Sequence, residues 1–211
     1  MGSIVRVDQA HPSRSVVDEA VAMLAFGGVL VMPTDSVYGI GCAATPANPA
    51  HERIFAIKHR DRAQTLPWLV ADVSDLERYA CDVPAYAVAL AVAYWPGALT
   101  LVVRASDAVP AEYRAADGTI ALRCPDSNLV RTLARGVGAP LATTSANTHG
   151  EAAATTGSGV EERIVAEADL TLDAGPAPVG VASTIVSCLG PRPQVLREGA
   201  ISTAEITVAA R

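Results

Sequence analysis

Short apolar runs of strand length alternate with helix-like segments from one end of the chain to the other. Gly and Pro residues separate them, and each apolar run is too short to be a helix by itself. The predicted strands are residues 29–32, 66–70, 99–104, 119–124, 141–144, 182–188 and 194–197. Such an alternation predicts an α/β fold built on a mixed sheet.

Capping residues predict where the helices begin. Ser15, with Asp18 three residues later, resembles a capping box, and Ser202 with Glu205 forms a second one. Asn48 followed by Pro49 has the order expected at a helix start. Three further helices are predicted to begin near Ser74, Pro84 and Ser127. We find no domain boundary, so one domain is expected over residues 1–211.

Half of the 211 residues are hydrophobic and 18% are charged, which is enough apolar material for a sizeable core. No apolar run reaches the length of a membrane span, and the N-terminus lacks a signal-peptide pattern. The sequence therefore predicts a cytoplasmic protein without a membrane segment.

The net charge of −6 argues against broad electrostatic binding of nucleic acid. Any anion site must be a local cluster of basic residues. The four cysteines are widely spaced and no His cluster accompanies them, so we expect free thiols and no metal site.

The segment 33–41 follows the first buried strand and contains Thr34, Asp35 and Ser36 before two glycines. Such a turn can present hydroxyls and backbone N–H groups to a small polar ligand. An ordinary Asx-type turn explains the same composition.

Lys58 and Arg60 stand at the predicted end of a helix. Lys offers a point charge and Arg a bidentate fork, so together they can clamp a phosphate group. Cations are also favoured at a helix C-terminus by the helix dipole, so a solvated helix end remains open.

Polar residues also follow two later strands. Ser145 and Asn147 end one strand, and Ser183 and Arg197 belong to the last two. Ligands in open α/β sheets bind near strand ends, although capping turns and surface charges have the same composition. The small residues of segment 149–159 predict a loop that acts as a mobile lid.

No P-loop, Rossmann fingerprint or nucleophile elbow is present. Seven other short motifs follow one another along the chain. They are P-T-D-S-V-Y-G-I-G at 33–41, K-H-R at 58–60, W-P-G-A-L-T at 95–100, R-C-P at 123–125, S-A-N at 145–147, S-T-I-V at 183–186 and L-R-E-G at 196–199. In this order they resemble the YrdC-like family of threonylcarbamoyl-adenylate synthases, and the resemblance covers about residues 15–202.

The resemblance implies a twisted, open mixed sheet with helices around a concave, basic-lined cavity. It implies synthesis of threonylcarbamoyl-AMP and pyrophosphate from L-threonine, bicarbonate and ATP, with Mg²⁺ accompanying ATP. The product would pass to a separate transferase complex that modifies tRNA, and direct tRNA contact is expected to be weak at most.

Site residues follow from the same resemblance. Lys58 and Arg60 are the expected catalytic residues. The expected ATP contacts are Lys58, Arg60, Thr119, Ser145, Asn147, Thr155 and Arg197. The expected threonine contacts are Ser36, Arg123, Ser145 and Ser183. Asp35 is the nearest candidate for a metal-binding carboxylate.

The chain departs from the family pattern in four places. Asp61 and Thr65 replace frequent prolines, Gln64 replaces a common Asn, and Leu69 stands where some members have a threonine-contacting His. The second, C-terminal domain of longer members does not follow the motifs here. Two alternatives remain open: an RNA-binding module of the same fold, and a carbamoyl transferase.

Overall fold

The computed structural model describes residues 3–62 and 64–211. Within that range, one mixed sheet of eleven strands forms the framework. The strands are β1 Ser3–Arg6, β2 Leu30–Met32, β3 Gly39–Ala43, β4 Trp68–Leu69, β5 Ala80–Cys81, β6 Leu99–Ala105, β7 Thr119–Arg123, β8 Leu141–Ser145, β9 Leu170–Asp173, β10 Thr184–Ser187 and β11 Gln194–Arg197.

The order across the sheet is β1-β9-β2-β3-β8-β4-β7-β6-β10-β11, and β5 pairs with the free end of β6. The pairs β1–β9, β9–β2, β4–β7 and β6–β10 are parallel. Strand β3 is antiparallel to both of its neighbours, β2 and β8. The sheet is therefore mixed and open, as predicted.

Seven α-helices connect the strands in the described residues. They are α1 Arg14–Ala25, α2 Pro49–Lys58, α3 Asp75–Tyr79, α4 Ala85–Tyr94, α5 Asn128–Val137, α6 Glu162–Glu167 and α7 Thr203–Ala209. The predicted Asn48–Pro49 start of α2 and the Ser202–Glu205 capping box of α7 are both confirmed. Within 3–62 and 64–211, no helix combines the length and apolar character that crossing a bilayer requires.

The predicted start of α1 was wrong by two residues. Ser13 is the N-cap, and its hydroxyl accepts a hydrogen bond from the backbone N–H of Val16. Ser15 lies inside the first turn, and its hydroxyl contacts that of Ser13 instead. Because both serines precede the same apolar stripe, the sequence pattern did not separate them.

Several strands differ from the predicted bounds. The strand predicted over 66–70 is shorter in the structure, where only β4, Trp68–Leu69, forms. The sequence pattern also missed β1, β3, β9 and helix α6. Strand β3 was missed because its glycines suggest a turn. Strands β1 and β9 pair with each other, so their partner is more than 160 residues away along the chain.

The two faces of the sheet carry separate apolar clusters. The larger one contains Trp68 and Tyr113, whose rings meet edge to face with centroids 5.4 Å apart. The smaller one lies under α1 and α5 and contains Leu24, Leu133 and Leu141. Apolar packing therefore supports the sheet from both of its faces.

Candidate active site

A cavity of about 440 Å³ lies over one face of the sheet. Four basic side chains line it, and they come from α2, the turn after α2, β7 and β11: Lys58, Arg60, Arg123 and Arg197. Hydroxyl and amide groups of Thr34, Ser36, Thr100, Ser145, Asn147 and Ser183 line it as well. The structure thus brings together most of the predicted site residues in a local cluster of positive charge.

The turn between β2 and β3 is organised by Thr34. Its hydroxyl donates to the carbonyl of Val37 at 2.7 Å and accepts from the backbone N–H of Ser36 at 3.2 Å. The Ser36 hydroxyl shares a 3.0 Å hydrogen bond with it. The segment is thus the hydrogen-bonded turn that composition alone suggested, and it also presents Ser36 to the cavity.

Gly39 and Gly41 follow the turn and lie in β3. A Cβ at Gly41 would come within 2.5 Å of the Thr143 hydroxyl and 2.9 Å of the Ala142 carbonyl. A Cβ at Gly39 would come within 2.7 Å of the Thr143 methyl. The glycines therefore allow β3 and β8 to pack closely beneath the cavity.

Arg123 ends β7 and is only 6% exposed. Its guanidinium donates to Asp35 Oδ1 at 2.5 Å, to Ser36 Oγ at 2.8 Å and to the Gly97 carbonyl at 2.9 Å. Burial lowers the pKa of Arg123, while Asp35 opposes that shift. These bonds join β7 to a turn three strands away in the sheet, so the turn must lean over the sheet face and make it concave.

Lys58 is the last residue of α2 and is 1% exposed, so the solvated helix end was the wrong alternative. His59 follows with φ 51°, a left-handed conformation that ends the helix. The Lys58 ammonium donates to the carbonyls of Ser145 at 2.5 Å and Asn147 at 2.6 Å. Burial, reinforced by nearby Arg60, lowers the pKa of Lys58 to about 8.

Arg60 faces the cavity from the turn after α2. One terminal nitrogen donates to Thr144 Oγ1 at 2.8 Å, and the other donates to the Thr65 carbonyl at 3.3 Å. Its buried Nε has no hydrogen-bond partner in the described part of the chain. Burial also lowers the pKa of Arg60. A half-buried guanidinium that lines a cavity is suited to an anionic ligand.

Ser183 and Arg197 lie at the β10–β11 side of the cavity. The Ser183 hydroxyl shares a 2.9 Å hydrogen bond with Thr100, and Arg197 donates to the Ser183 carbonyl at 2.7 Å. Burial lowers the pKa of Arg197 as well. Thr100 was not among the predicted site residues, although it ends the W-P-G-A-L-T motif.

Two predicted ATP contacts are not brought to the cavity lining. Thr119 lies at the start of β7, and its hydroxyl donates to Asp117 at 2.7 Å. Thr155 lies on the loop after β8, where its carbonyl accepts from Ala177 at 2.7 Å. Gln64 and Leu69, which differ from the family pattern, do line the cavity.

A preformed metal cage is absent from the described residues, where no group of three His, Cys, Asp or Glu side chains could hold an ion. The Asp35 carboxylate is paired with Arg123 and does not fit the role of a free magnesium ligand. The four cysteines are free thiols.

Fold and site together define a class: an open α/β protein with a cavity over one sheet face that is lined by fixed cations, hydroxyls and an amide. The Sua5/YciO/YrdC family model, described as "Telomere recombination", matches residues 22–199. The chain belongs to this family.

Individual relatives agree with this assignment. A threonylcarbamoyl-AMP synthase of Bacillus subtilis is 34% identical over 94% of this chain, and a putative one of Mycobacterium tuberculosis is 36% identical over 94%. The Pyrococcus abyssi Sua5 structure complexed with L-threonine covers 98% of this chain with TM-score 0.91 and 30% identity. This chain spans 58% of the Bacillus protein and 60% of the Pyrococcus chain, but 90% of the Mycobacterium protein.

Proposed function

We propose that this protein joins L-threonine, bicarbonate and ATP into threonylcarbamoyl-AMP and releases pyrophosphate. The observation that carries the proposal is the cavity itself, which sets Arg123 and two serines beside a second group of cations in one open cleft. Relatives that bear the name threonylcarbamoyl-AMP synthase support the same activity.

The threonine half of the site would be formed by Ser36, Arg123 and Ser183. The Arg123 guanidinium can pair with a carboxylate, and the two serine hydroxyls can bond the substrate's hydroxyl and amine. All three side chains are buried and held by the Asp35, Thr34 and Thr100 contacts described above. A site fixed in this way loses little entropy when the ligand binds.

The nucleotide half would use Arg60 and Arg197 for phosphate oxygens, with Ser145 at the end of β8 and Asn147 on the loop after it. Both of these arginine side chains line the cavity. Thr119 and Thr155 remain proposed contacts outside the present lining. We assign Lys58 to this half as well.

The reaction requires that the substrates are positioned and that fixed cations lie beside the leaving group. It requires no protein nucleophile. The threonine amine loses a proton and captures bicarbonate as a carbamate, with loss of water. A carbamate oxygen then attacks the α-phosphorus of ATP, and the bond to pyrophosphate breaks. Negative charge grows on the leaving pyrophosphate, where fixed guanidinium groups stabilise the transition state more than the ground state.

The proposed cellular context follows from the product. Threonylcarbamoyl-AMP is a labile mixed anhydride, so a separate transferase acting on tRNA in the cytoplasm must consume it promptly. Mg²⁺ is expected to arrive with the triphosphate, since the described residues provide no cage for it. Direct contact with tRNA is expected to be weak because the chain carries a net charge of −6.

Pyrophosphate release with different amino acids tests the proposal. A site that hydrogen-bonds the threonine hydroxyl rejects valine by roughly ten-thousandfold in favourable cases, while one missing methyl costs about ten- to two-hundredfold. We therefore expect threonine to be best, serine to be weaker and valine to be nearly inert. If valine supports as much pyrophosphate release as serine does, Ser36 and Ser183 do not hydrogen-bond the substrate's hydroxyl.

Filter binding of tRNA and a change of the carbamoyl donor separate the two alternatives. An RNA-binding module would retain tRNA on a filter at physiological salt without releasing pyrophosphate from ATP. A carbamoyl transferase would require carbamoyl phosphate in place of bicarbonate. Either result would replace the synthase proposal.

A further inference from the structure

The Lys58 ammonium is turned away from solvent and toward one loop. Its three N–H groups face three oxygens: the carbonyl of Ser145, the carbonyl of Asn147 and the Asn147 side-chain oxygen at 3.4 Å. An ammonium has three donors, so these contacts use its full capacity. With 1% of its surface exposed, Lys58 has no donor left for a phosphate group.

The Asn147 amide continues the connection into the loop. Its nitrogen donates to the carbonyls of Thr148 at 2.9 Å and Glu151 at 2.7 Å. Because Lys58 fixes the oxygen of the same amide, it also fixes the direction in which the nitrogen points. The ammonium thus sets the course of residues 145–151, of which Ser145, Asn147, His149, Gly150 and Glu151 line the cavity.

A second group holds the same loop from its other side. The Glu161 carboxylate accepts from both the backbone N–H and the hydroxyl of Thr148, each at 2.6 Å. Arg163 donates to the Thr148 hydroxyl at 2.9 Å and to the Ile57 carbonyl of α2 at 2.5 Å. The loop is therefore held by hydrogen bonds both to the end of α2 and to residues at the start of α6.

The contrast with Arg60 separates two roles for neighbouring cations. Arg60 is only half-buried and lines the cavity, whereas the Lys58 side chain is 1% exposed and its donors are all directed to loop oxygens. We propose that Lys58 is a positioning residue that fixes loop 145–151 over the nucleotide site and does not ligate phosphate itself. This inference rests on the proposed function only for the identity of the ligand.

Two variants in parallel test the inference, with inorganic pyrophosphate as the probe. Lys58→Met removes every loop bond at this position, and Arg60→Met removes the cavity-facing cation. Calorimetric titration gives pyrophosphate affinity, and hydrogen exchange gives the order of residues 145–151. Circular dichroism and urea unfolding establish that each variant is folded.

The expected outcomes differ in both measurements. Arg60→Met should weaken pyrophosphate binding tenfold to a hundredfold, the loss typical of a charged hydrogen bond, with unchanged exchange in the loop. Lys58→Met should weaken it by no more than about fivefold through lost long-range charge, but exchange in residues 145–151 should accelerate at least tenfold.

A Lys58→Met protein that binds pyrophosphate as poorly as Arg60→Met and keeps a protected loop would overturn the inference. If Lys58→Met does not fold, Lys58→Gln replaces it, since the amide keeps two donors for the loop but no charge for phosphate. Retained affinity in Lys58→Gln supports a positioning role, and a hundredfold loss refutes it. Neither measurement needs threonine turnover, so failure of the synthase proposal would be seen separately in wild-type pyrophosphate release.

Discussion

Replacing Asp35 by Asn should destabilise the protein and at the same time strengthen its response to threonine. Asp35 is 4% exposed and is the anionic partner of the Arg123 guanidinium at 2.5 Å. Asn has nearly the same volume, so the substitution changes charge without leaving a cavity. The guanidinium keeps its bonds to Ser36 and Gly97 but loses its counter-charge.

The expected cost comes from burial. Removing one partner of a buried ion pair costs about 3 to 5 kcal/mol, because the remaining charge is left uncompensated in a low-dielectric site. The Asn oxygen can still accept one hydrogen bond, so we expect the lower end, about 3 kcal/mol. For a chain of 211 residues, this corresponds to a fall in Tm of roughly 6 to 12 °C.

The chain provides a matched control in the Asp72–Arg135 pair. Its closest nitrogen–oxygen distance is 2.6 Å, but the side chains are 53% and 46% exposed. Asp72→Asn should therefore cost no more than about 1 kcal/mol. Urea unfolding of the two variants measures both costs. Equal losses would show that burial does not set the energy of the Arg123 pair.

The threonine response provides a second measurement on the same variant. In Asp35→Asn the threonine carboxylate would supply the counter-charge that Arg123 has lost. A saturable rise in Tm with threonine should therefore be larger than in the wild type at equal concentration. A smaller rise would argue that Arg123 does not meet the substrate carboxylate.

Three further outcomes are expected. Gly41→Ala should lower the free energy of unfolding in urea by about 1 to 3 kcal/mol, because the new methyl overlaps Thr143 and the Ala142 carbonyl. An unchanged free energy would contradict the close β3–β8 packing. Activity should decline above about pH 8 as Lys58, which faces Arg60 and Glu161, loses its proton. Burial lowers the pKa of Lys58 below its value in the unfolded chain. The contribution of Lys58 to the free energy of unfolding should therefore rise over the same pH range. A loss of stability in parallel with the loss of activity would refute the assignment of this pH dependence to Lys58. Proteolysis of the predicted lid, residues 149–159, should slow when ATP and threonine are added, and equal cleavage rates would count against a lid.

Local signals predicted the parts of the fold that depend on nearby residues. The Asn48–Pro49 start of α2 and the capping box at Ser202 were correct because the groups that bond there are within three residues of each other. The motif order identified the family, and eight of the ten predicted site residues, Ser36 and Arg123 among them, line one cavity.

Tertiary contacts decided what the sequence did not reveal. Strand β3 exists because its glycines fit against Thr143 of β8, more than 100 residues later. Lys58 has the composition of a solvated helix end, but the carbonyls that surround it belong to a loop almost 90 residues away. Asp35 similarly looks available for a metal until Arg123 is placed beside it.

The local positive cavity of an acidic chain has a consequence for how ligands approach. Beyond about 8 Å in physiological salt, exposed charges are screened, and the weak remaining field is that of a net anion. Within the cavity, the fixed guanidinium groups dominate. A compact triphosphate can pass from the screened solvent into the cavity. A tRNA stays largely in the screened solvent because it is many screening lengths long. We therefore expect the surface to sort anions by size before any hydrogen bond to them has formed.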